Sequence, residues 1–228
     1  MSTHQFKQQK IAQIIAHRFG RRPERLLVVG CGSGAEAAIL GHELGAQVIG
    51  IDLKPDFDPK AAAEVDLRVA DATALPFENE SFDFVYSYHA LEHIPDFRGA
   101  LREMRRVLAR DGGWYVGTPN RSRLAGYIGN DEVSLRVKLL WNWIDWKKRA
   151  KGRFRNEYGA HAGFTATELT SELGATLGAV RDITLDYYLE IYPNHAGKIH
   201  WISNTGLGRW VFPSVYFMSA APDSVVDG

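Results

Sequence analysis

A glycine-rich turn between two apolar runs constrains the fold of this chain more than any other feature. Residues 26–29, LLVV, form an apolar run of strand length, and GCGSG follows immediately at 30–34. Helix-forming residues continue to Leu44, Gly45 offers a helix stop, and a second apolar run ends on Asp52. This order predicts a strand, a glycine loop, a helix and a second strand. A loop without side chains lets a ligand approach the backbone closely at the helix N-terminus.

This opening unit leaves the ligand open between two classes. Gly30, Gly32 and Ala35 match the dinucleotide pattern G-x-G-x-x-G/A. Asp52 follows at the spacing expected for a carboxylate that binds ribose hydroxyls. The glycines at 30, 32 and 34 fit the G-x-G-x-G loop of nucleoside-binding methyltransferases equally well, so the residues that follow have to separate the two classes.

Composition narrows the class of protein. The 228 residues suffice for one large domain, and hydrophobic residues make up 45% of them, enough for a sizeable core. Lys plus Arg equal Asp plus Glu at 27 each, so no global charge attracts nucleic acid or an anionic membrane. The single Cys31 excludes an internal disulfide framework. Because we find no secretory signal and no apolar run of about 18 residues, we expect a soluble cytoplasmic protein.

Strand-like and helix-like segments alternate after the opening unit. We predict further strands at 67–70, 82–87, 114–117, 180–188 and 212–219, helices at 4–19, 97–108 and 163–178, and irregular segments at 53–66 and 189–210. Thr165 and Glu168 form a capping-box pattern at the start of the last of these helices. The alternation predicts an α/β fold with a doubly wound, mostly parallel sheet.

Polar residues and glycines fall at the predicted carboxyl ends of five strands. They are Gly30, Asp52, Asp71, Ser87 and Thr118. In sheets of this kind, ligands bind in the crevice outside the carboxyl ends of the strands. We therefore expect these five positions to meet at one edge of the sheet and to surround a ligand.

Taken together, the motifs resemble those of the class I S-adenosylmethionine-dependent methyltransferases, in the branch with small-molecule acceptors. VVGCGSG, the aspartate that ends the second strand, ADA at 70–72, SFDFVYSYHALEHI and REMRRVLARDGGWYVGTPN carry this resemblance, which covers roughly residues 26–120. The resemblance implies a Rossmann-like, seven-stranded sheet whose seventh strand, within 214–219, runs antiparallel at the sheet edge. It also implies S-adenosyl-L-methionine as the cofactor.

The resemblance further implies which residues bind that cofactor. The glycine loop would pass the methionine part, Asp52 would bind the ribose hydroxyls, and Asp71 would lie near the exocyclic amine of the adenine. Residues 87–89 would line the floor near the sulfonium. The full implied set is Gly30, Cys31, Gly32, Gly34, Asp52, Leu53, Asp71, Ala72, Ser87, Tyr88 and His89. No metal site is expected.

Methyl transfer from a sulfonium depends mainly on aligning donor and acceptor for an in-line displacement, which can supply roughly 7–11 kcal/mol. A base is needed only when the acceptor carries a proton. The candidates are His89, His93, His161 and His195; we favour His89 and His161, because His93 is expected to begin or cap the helix that follows. Glu92 is expected to be a solvated helix carboxylate. Candidate acceptor-binding residues are Tyr127, Glu157 and Tyr158. Histidines and tyrosines around the acceptor favour O-methylation over N-methylation.

Residues 121–160 exceed the usual length of an α/β connection. Apolar residues line one helical face from Val133 to Ile144, and a basic run extends from Lys147 to Arg155. We expect a helical, aromatic insertion that caps the acceptor site of a single methyltransferase domain spanning residues 1–228. A transient membrane-surface contact through 133–155 is an alternative role. A nucleic-acid patch is disfavoured because the net charge of the chain is zero.

The proposed activity is therefore methyl transfer to a small-molecule or carrier-linked acceptor, and two alternatives stay open. An NAD(P)-dependent oxidoreductase would share the opening unit, but the sequence contains no Tyr-x-x-x-Lys pair and the second acidic strand end, Asp71, has no role in its fingerprint. A catalytically silent S-adenosylmethionine-binding protein would share the whole pocket. The oligomeric state does not follow from the sequence.

Overall fold

The computed structural model of the protein describes residues 3–126, 133–158 and 160–219. The strands in this part of the chain are Arg25–Val29 (β1), Gln47–Asp52 (β2), Asp66–Val69 (β3), Phe82–Tyr88 (β4), Leu108–Pro119 (β5), Val180–Asp182 (β6) and Ser214–Ser219 (β7). The α-helices are Thr3–Phe19 (α1), Ala35–Leu44 (α2), Pro59–Glu64 (α3), Phe97–Val107 (α4), Leu135–Ala150 (α5), Ala166–Leu177 (α6), Thr184–Ile191 (α7), Ala196–Asn204 (α8) and Gly208–Val211 (α9).

The strands form one seven-stranded sheet in the order β3-β2-β1-β4-β5-β7-β6. β1 to β5 pair in parallel, whereas β7 runs antiparallel to both β5 and β6. The predicted α/β fold with a mostly parallel sheet is confirmed. The prediction that the seventh strand forms the sheet edge is wrong, because β7 lies between β5 and β6. Its five buried residues, 214–218, are typical of an interior strand.

Helices cover both faces of the sheet and bury two separate apolar clusters. On one face, Ile15 of α1 and Leu40 of α2 pack in the same cluster as Tyr86 of β4. On the other face, Leu101 of α4 and Leu173 of α6 belong to a second cluster. These two layers fix the parallel strands with their carboxyl ends at one edge, which is where the sequence predicted the ligand site.

Three local predictions were wrong for identifiable reasons. Residues 53–66, expected to be a loop, contain α3, which starts at Pro59 and is capped by Asp58 through a hydrogen bond from the Lys60 N–H. The predicted strand 180–188 ends at Asp182, whose side chain accepts the Thr184 N–H, and the aromatic residues beyond it form α7. The segment 189–210, expected to be irregular, contains α8 and α9.

The start of α6 agrees with the sequence prediction, whereas the end of α4 differs from it. The capping box at the start of α6 is present in both directions, between the Thr165 hydroxyl and the Glu168 N–H and between Glu168 and the Thr165 N–H. In contrast, α4 ends at Val107 rather than near Gly112, because Leu108 already begins β5. Leu108 is apolar and buried, and its spacing continues the helical pattern of α4. The pattern therefore extended the predicted helix by a residue that belongs to β5.

The amphipathic pattern of 133–149 predicted helix α5 but not its orientation. The polar residues Asn142 and Asp145, which lie opposite the apolar side chains, face the protein. Leu139 and Trp143, from the apolar side, are exposed. The helix is therefore attached by polar contacts, and its apolar side chains point away from the fold.

Candidate functional site

A cavity of about 960 Å³ opens at the carboxyl ends of β1, β2, β3 and β4. Its volume lies in the range of roughly 300–1,000 Å³ that is typical of small-molecule and cofactor sites. The residues that line it include Gly30, Gly32, Asp52, Leu53, Lys54, Asp71, Ala72, Thr73, His89, His93 and Ile94. Four separate loops therefore contribute to one concave surface, as the parallel topology predicts.

The glycine loop after β1 uses its three glycines for different purposes. All three have positive φ, at 75° for Gly30, 54° for Gly32 and 84° for Gly34. A Cβ at Gly30 would lie 2.2 Å from the Ala90 Cβ, and one at Gly34 would lie 2.3 Å from the Leu67 Cδ1. A Cβ at Gly32 would meet no protein atom within 4 Å. Gly32 therefore leaves bare backbone facing the cavity, where a ligand can approach.

Two carboxylates at neighbouring strand ends are fixed by local hydrogen bonds. Asp52 accepts the Gly32 N–H at 2.9 Å and the Lys54 N–H at 3.0 Å, so it ties the glycine loop to the end of β2. Asp71 accepts the Thr73 N–H at 2.8 Å and the Thr73 hydroxyl at 2.7 Å. These hydrogen bonds hold the pKa of Asp71 below its ordinary value. Both side chains are therefore pre-oriented acceptors at the cavity wall.

The structure brings part of the predicted cofactor set together. The members that line the cavity are Gly30, Gly32, Asp52, Leu53, Asp71, Ala72 and His89. Cys31, Gly34, Ser87 and Tyr88 are not among its lining residues. The side chains of Cys31 and Ser87 are buried. Burial raises the pKa of the Cys31 thiol to about 12, so the sulfur stays protonated and suits packing rather than nucleophilic chemistry.

Tyr88 lies in a cluster of aromatic rings beside the cavity. Its ring stacks against Tyr216 with centroids 6.1 Å apart, and its hydroxyl lies 3.5 Å from that of Tyr187. The expectation that Tyr88 faces the sulfonium stays a prediction, but the cavity wall itself is formed by the next residue, His89.

His89 is held in a strained turn directly after β4. Its φ of 52° is unusual for a residue with a side chain, although histidine tolerates this region better than most. Its Nδ1 lies 3.7 Å from Glu92 Oε1, and its Nε2 lies 3.4 Å from Ser214 Oγ. Burial, and then the positive charge of Arg123, lowers the pKa of His89 well below its ordinary value. The imidazole is therefore neutral at pH 7 and can accept a proton or a hydrogen bond.

Glu92 is not the solvated carboxylate expected from the sequence. Its side chain is only 1% exposed, because the 3₁₀ turn Leu91–His93 directs it under the cavity. Glu92 Oε2 accepts the Thr118 hydroxyl at 3.1 Å, and Oε1 has no hydrogen-bond partner within the described part of the chain. Burial raises the pKa of this carboxyl to about 7. His89 at the cavity wall and Glu92 buried behind it thus form a pair of titratable groups.

The second predicted base, His161, is not a lining residue of the cavity but contacts one. Its ring packs edge-on against His93 with centroids 4.8 Å apart, and His93 lines the cavity. Glu157 is exposed in a 3₁₀ turn, Asn156–Tyr158. Tyr127 lies outside the described residues, as does the side chain of Tyr158, so the acceptor-binding set stays a prediction.

Sequence reasoning did not assign several lining residues. Lys54 and Thr73 each follow a predicted acidic strand end by two residues, so the same topology rule would have included them. His93 was treated as a helix-capping residue, and only the tertiary structure shows that it faces the cavity. In the described ranges, no group of three or more His, Cys, Asp or Glu side chains is arranged to hold a metal ion.

Comparison with known proteins relates this site to a family. A family model described as a methyltransferase domain matches residues 27–116, which include the glycine loop, both carboxylates and His89. This segment of 90 residues, out of 228, is similar to that family. A putative S-adenosylmethionine-dependent methyltransferase from Methanococcus maripaludis has the same fold, with a TM-score of 0.57 at 17% identity over 96% of this chain and 87% of that chain.

Two curated proteins that are similar to this chain have different acceptors in their names. Tocopherol O-methyltransferase (chloroplastic) of Arabidopsis thaliana is 35% identical over 101 residues, which are 40% of this chain and 29% of the relative. Norajmaline N-methyltransferase of Rauvolfia serpentina is 32% identical over 99 residues, which are 39% of this chain and 34% of the relative. The match thus spans about a third of the length of these relatives.

The raised pKa of Glu92 predicts a change in how stability depends on pH. The carboxyl binds its proton more tightly in the folded state, with a pKa of about 7 against an ordinary 4.5, so its stabilising contribution is lost as the pH rises through that range. Between about pH 5 and about pH 8, we expect wild type to lose about 1–3 kcal/mol more unfolding free energy than Glu92→Gln. Urea denaturation at both pH values measures the difference.

A second buried carboxyl, Glu36, does not disturb this measurement. It is also buried, its pKa is also raised to about 7, and it is hydrogen-bonded to Tyr86 rather than to the His89 cluster. Because wild type and Glu92→Gln both retain Glu36, its contribution cancels in the comparison. Parallel pH profiles for wild type and Glu92→Gln would contradict the buried-carboxyl assignment.

Proposed function

We propose that the protein transfers a methyl group from S-adenosylmethionine to an oxygen of a small-molecule or carrier-linked acceptor. The observation that carries this proposal is the pairing of the open Gly32 backbone with Asp52 and Asp71 around one cavity. A nucleoside attached to an amino acid needs three kinds of contact: bare backbone, a carboxylate for vicinal hydroxyls, and a second acceptor for an exocyclic amine. The cavity offers all three.

The residues present fit this cofactor. Asp52 would bind the ribose hydroxyls, and Asp71 with Ala72 would bind the adenine. The loop around Gly32 would hold the amino-acid part, close to the N-terminus of α2, which has no side-chain cap. When bound, S-adenosylmethionine supplies an electrophilic methyl group on a positively charged sulfur that departs as a neutral thioether.

The chain's own contribution to the reaction is chiefly positioning. The two carboxylates are already fixed by hydrogen bonds to backbone N–H groups, so little ordering is required when the ligand enters. Aligning two reactants in this way can account for roughly 7–11 kcal/mol of the barrier. Direct methyl transfer requires no covalent intermediate with the protein, so it needs no nucleophilic role for the buried, protonated Cys31.

His89 is the residue that we assign as general base. It is neutral at pH 7, lines the cavity, and has Glu92 near its Nδ1 and Ser214 near its Nε2. A neutral imidazole can take the proton from a hydroxyl acceptor, although its lowered pKa weakens it as a base. The ionised form of Glu92, 3.7 Å from Nδ1, would stabilise the imidazolium that forms. The strained backbone at His89 is consistent with a functional position.

O-methylation remains our preference over N-methylation. It rests on the histidine-rich wall and on relatives such as tocopherol O-methyltransferase. The norajmaline relative shows that N-methyltransferases share the matched segment, so the choice depends on the acceptor side of the cavity. The insertion at 121–160 would shape that side, and His161 together with Glu157, Tyr158 and Tyr127 are the proposed acceptor contacts.

The Asp52 carboxylate should contribute strongly to cofactor binding. We expect Asp52→Ala to weaken binding of S-adenosylhomocysteine by at least about 2 kcal/mol, roughly 30-fold in Kd, because charged hydrogen bonds to two hydroxyls are lost. Isothermal titration calorimetry measures this change. Asp66→Ala removes an exposed carboxylate outside the cavity and should bind like wild type. Unchanged affinity in Asp52→Ala would refute the ribose assignment.

The role of His89 can be separated from simple positioning by the choice of acceptor. With labelled S-adenosylmethionine and a panel of acceptors, we expect His89→Gln to lower kcat about 10²–10⁴-fold for acceptors that must lose a proton. Acceptors supplied as preformed anions, such as carboxylates or acidic phenolates, should lose much less. An equal loss for both kinds would contradict the base assignment, and no turnover by wild type with any acceptor would favour a silent binding protein.

A further inference from the structure

The long helix α5 turns its apolar side chains away from the protein. The exposed ones are Leu135, Leu139, Leu140, Trp143, Ile144 and Trp146. Leu135 and Leu139 keep 71% and 62% of their surface accessible. A surface helix normally buries its apolar stripe and exposes its polar one, so α5 is packed in the opposite sense.

Polar contacts impose this orientation. Arg123 is 4% exposed, and its guanidinium lies 3.5 Å from the Asp145 carboxylate on the inner side of the helix. Arg149 donates to the Arg123 carbonyl at 2.7 Å. The Asn142 amide exchanges hydrogen bonds with both the N–H and the carbonyl of Gly126. Because these contacts hold the inner side, most of the apolar side chains of α5 remain exposed to solvent.

Hydrogen bonds through Leu124 link α5 to α9. The Trp146 indole N–H donates to the Leu124 carbonyl at 2.6 Å, and the Leu124 N–H donates to the Trp210 carbonyl at 2.8 Å. Trp210, and Trp201 on the neighbouring α8, are exposed as well. We call the exposed α5 residues, together with Leu124, Trp201 and Trp210, the tryptophan surface. Exposed apolar side chains grouped in this way are typical of interaction sites.

Basic residues surround and interleave with the tryptophan surface. The chain is neutral as a whole, yet residues 133–155 contain eight Lys and Arg and one acidic residue, the inward-facing Asp145. Residues 196–213 add Lys198 and Arg209 and contain no Asp or Glu. The Lys147 ammonium lies 3.3 Å from the centroid of the Trp143 ring. A partner must therefore be apolar and negatively charged at the same surface.

We propose that the tryptophan surface docks on a lipid bilayer that contains anionic phospholipids. Helix α5 would lie in the plane of the interface, with its Leu and Trp side chains between the headgroups and its Lys and Arg near the phosphates. Tryptophan next to lysine is typical of this interface, and the combination of apolar burial with electrostatic attraction is what makes such helices bind. In the described ranges, no helix is long and apolar enough to cross a membrane, so the contact is a surface contact.

Other occupants fit the observations less well. A second copy packed face to face would bring the same basic residues of both copies together, and residues 133–155 and 196–213 carry no exposed carboxylate to neutralise them. A nucleic acid would match the charge and could stack on the tryptophans, but it would leave Leu135, Leu139 and Ile144 without an apolar partner.

The inner side of α5 is linked to the cavity wall through Arg123. Arg123, which holds α5 through Asp145, also donates to the His161 carbonyl at 2.9 Å, and His161 packs against the cavity-lining His93. Under the proposed function, docking would bring the cavity close to acceptors that dissolve in the membrane. The docking itself does not depend on methyl transfer.

Vesicle flotation tests the proposal directly. We expect the full chain to float with phosphatidylcholine vesicles that contain phosphatidylglycerol and not with phosphatidylcholine alone, and added salt should weaken binding. Leu139→Ser/Trp143→Ser should reduce binding at least about tenfold by removing apolar insertion. Val69→Ser changes an exposed apolar residue outside the tryptophan surface, and this control variant should bind like wild type.

Charge-reversal variants test the electrostatic part of the proposal. Lys147→Glu/Lys151→Glu should reduce binding at least about tenfold, whereas Lys60→Glu/Arg110→Glu makes the same net change elsewhere and should not. S-adenosylhomocysteine binding should be unchanged in all these variants, which separates failure of docking from failure of the proposed function. The proposal would be overturned if wild type did not float, or if test and control variants lost binding equally. It would also be overturned if the chain formed a dimer that the same variants disrupt.

Discussion

The hydrogen bond from the Gly32 N–H to the Asp52 carboxylate is the contact on which the site depends. It joins the loop after β1 to the end of β2 and holds a glycine with positive φ at the cavity wall. Gly30 and Gly34 are needed because side chains there would collide with Ala90 and Leu67, whereas Gly32 is open. The loop is thus shaped partly by packing within the protein and partly to leave room for a ligand. Asp71 repeats only the local part of this arrangement: it accepts the Thr73 N–H two residues on, as Asp52 accepts the Lys54 N–H.

A second layer of chemistry lies beneath this binding edge. Glu92 is buried between His89 and Thr118, where its charge is costly and its proton is held more tightly. His89 is kept neutral beside it. Two groups whose pKa values are shifted by their surroundings, meeting at the wall of a cavity, are a common arrangement for moving a proton. The cofactor edge and this pair are contributed by consecutive strands, so one sheet positions both.

The sequence predicted those features whose causes are local. The glycine loop, Asp52, the capping box at Thr165 and the parallel sheet follow from neighbouring residues and from periodicity. The features it missed depend on contacts between distant parts of the chain. The orientation of α5 is imposed by Arg123, 22 residues from Asp145 in sequence, and periodicity reveals two faces of a helix without saying which is buried. The burial of Glu92, the approach of His161 to His93, and the interior position of β7 are likewise set by tertiary packing.

The central claim is that the cavity at the strand ends accepts a nucleoside joined to an amino acid. Calorimetric titration of the wild-type chain with S-adenosylhomocysteine and, separately, with NADH tests it most directly. The account predicts saturable one-to-one binding of S-adenosylhomocysteine and no binding of NADH. Binding of NADH in preference to S-adenosylhomocysteine, or binding of neither, would contradict it.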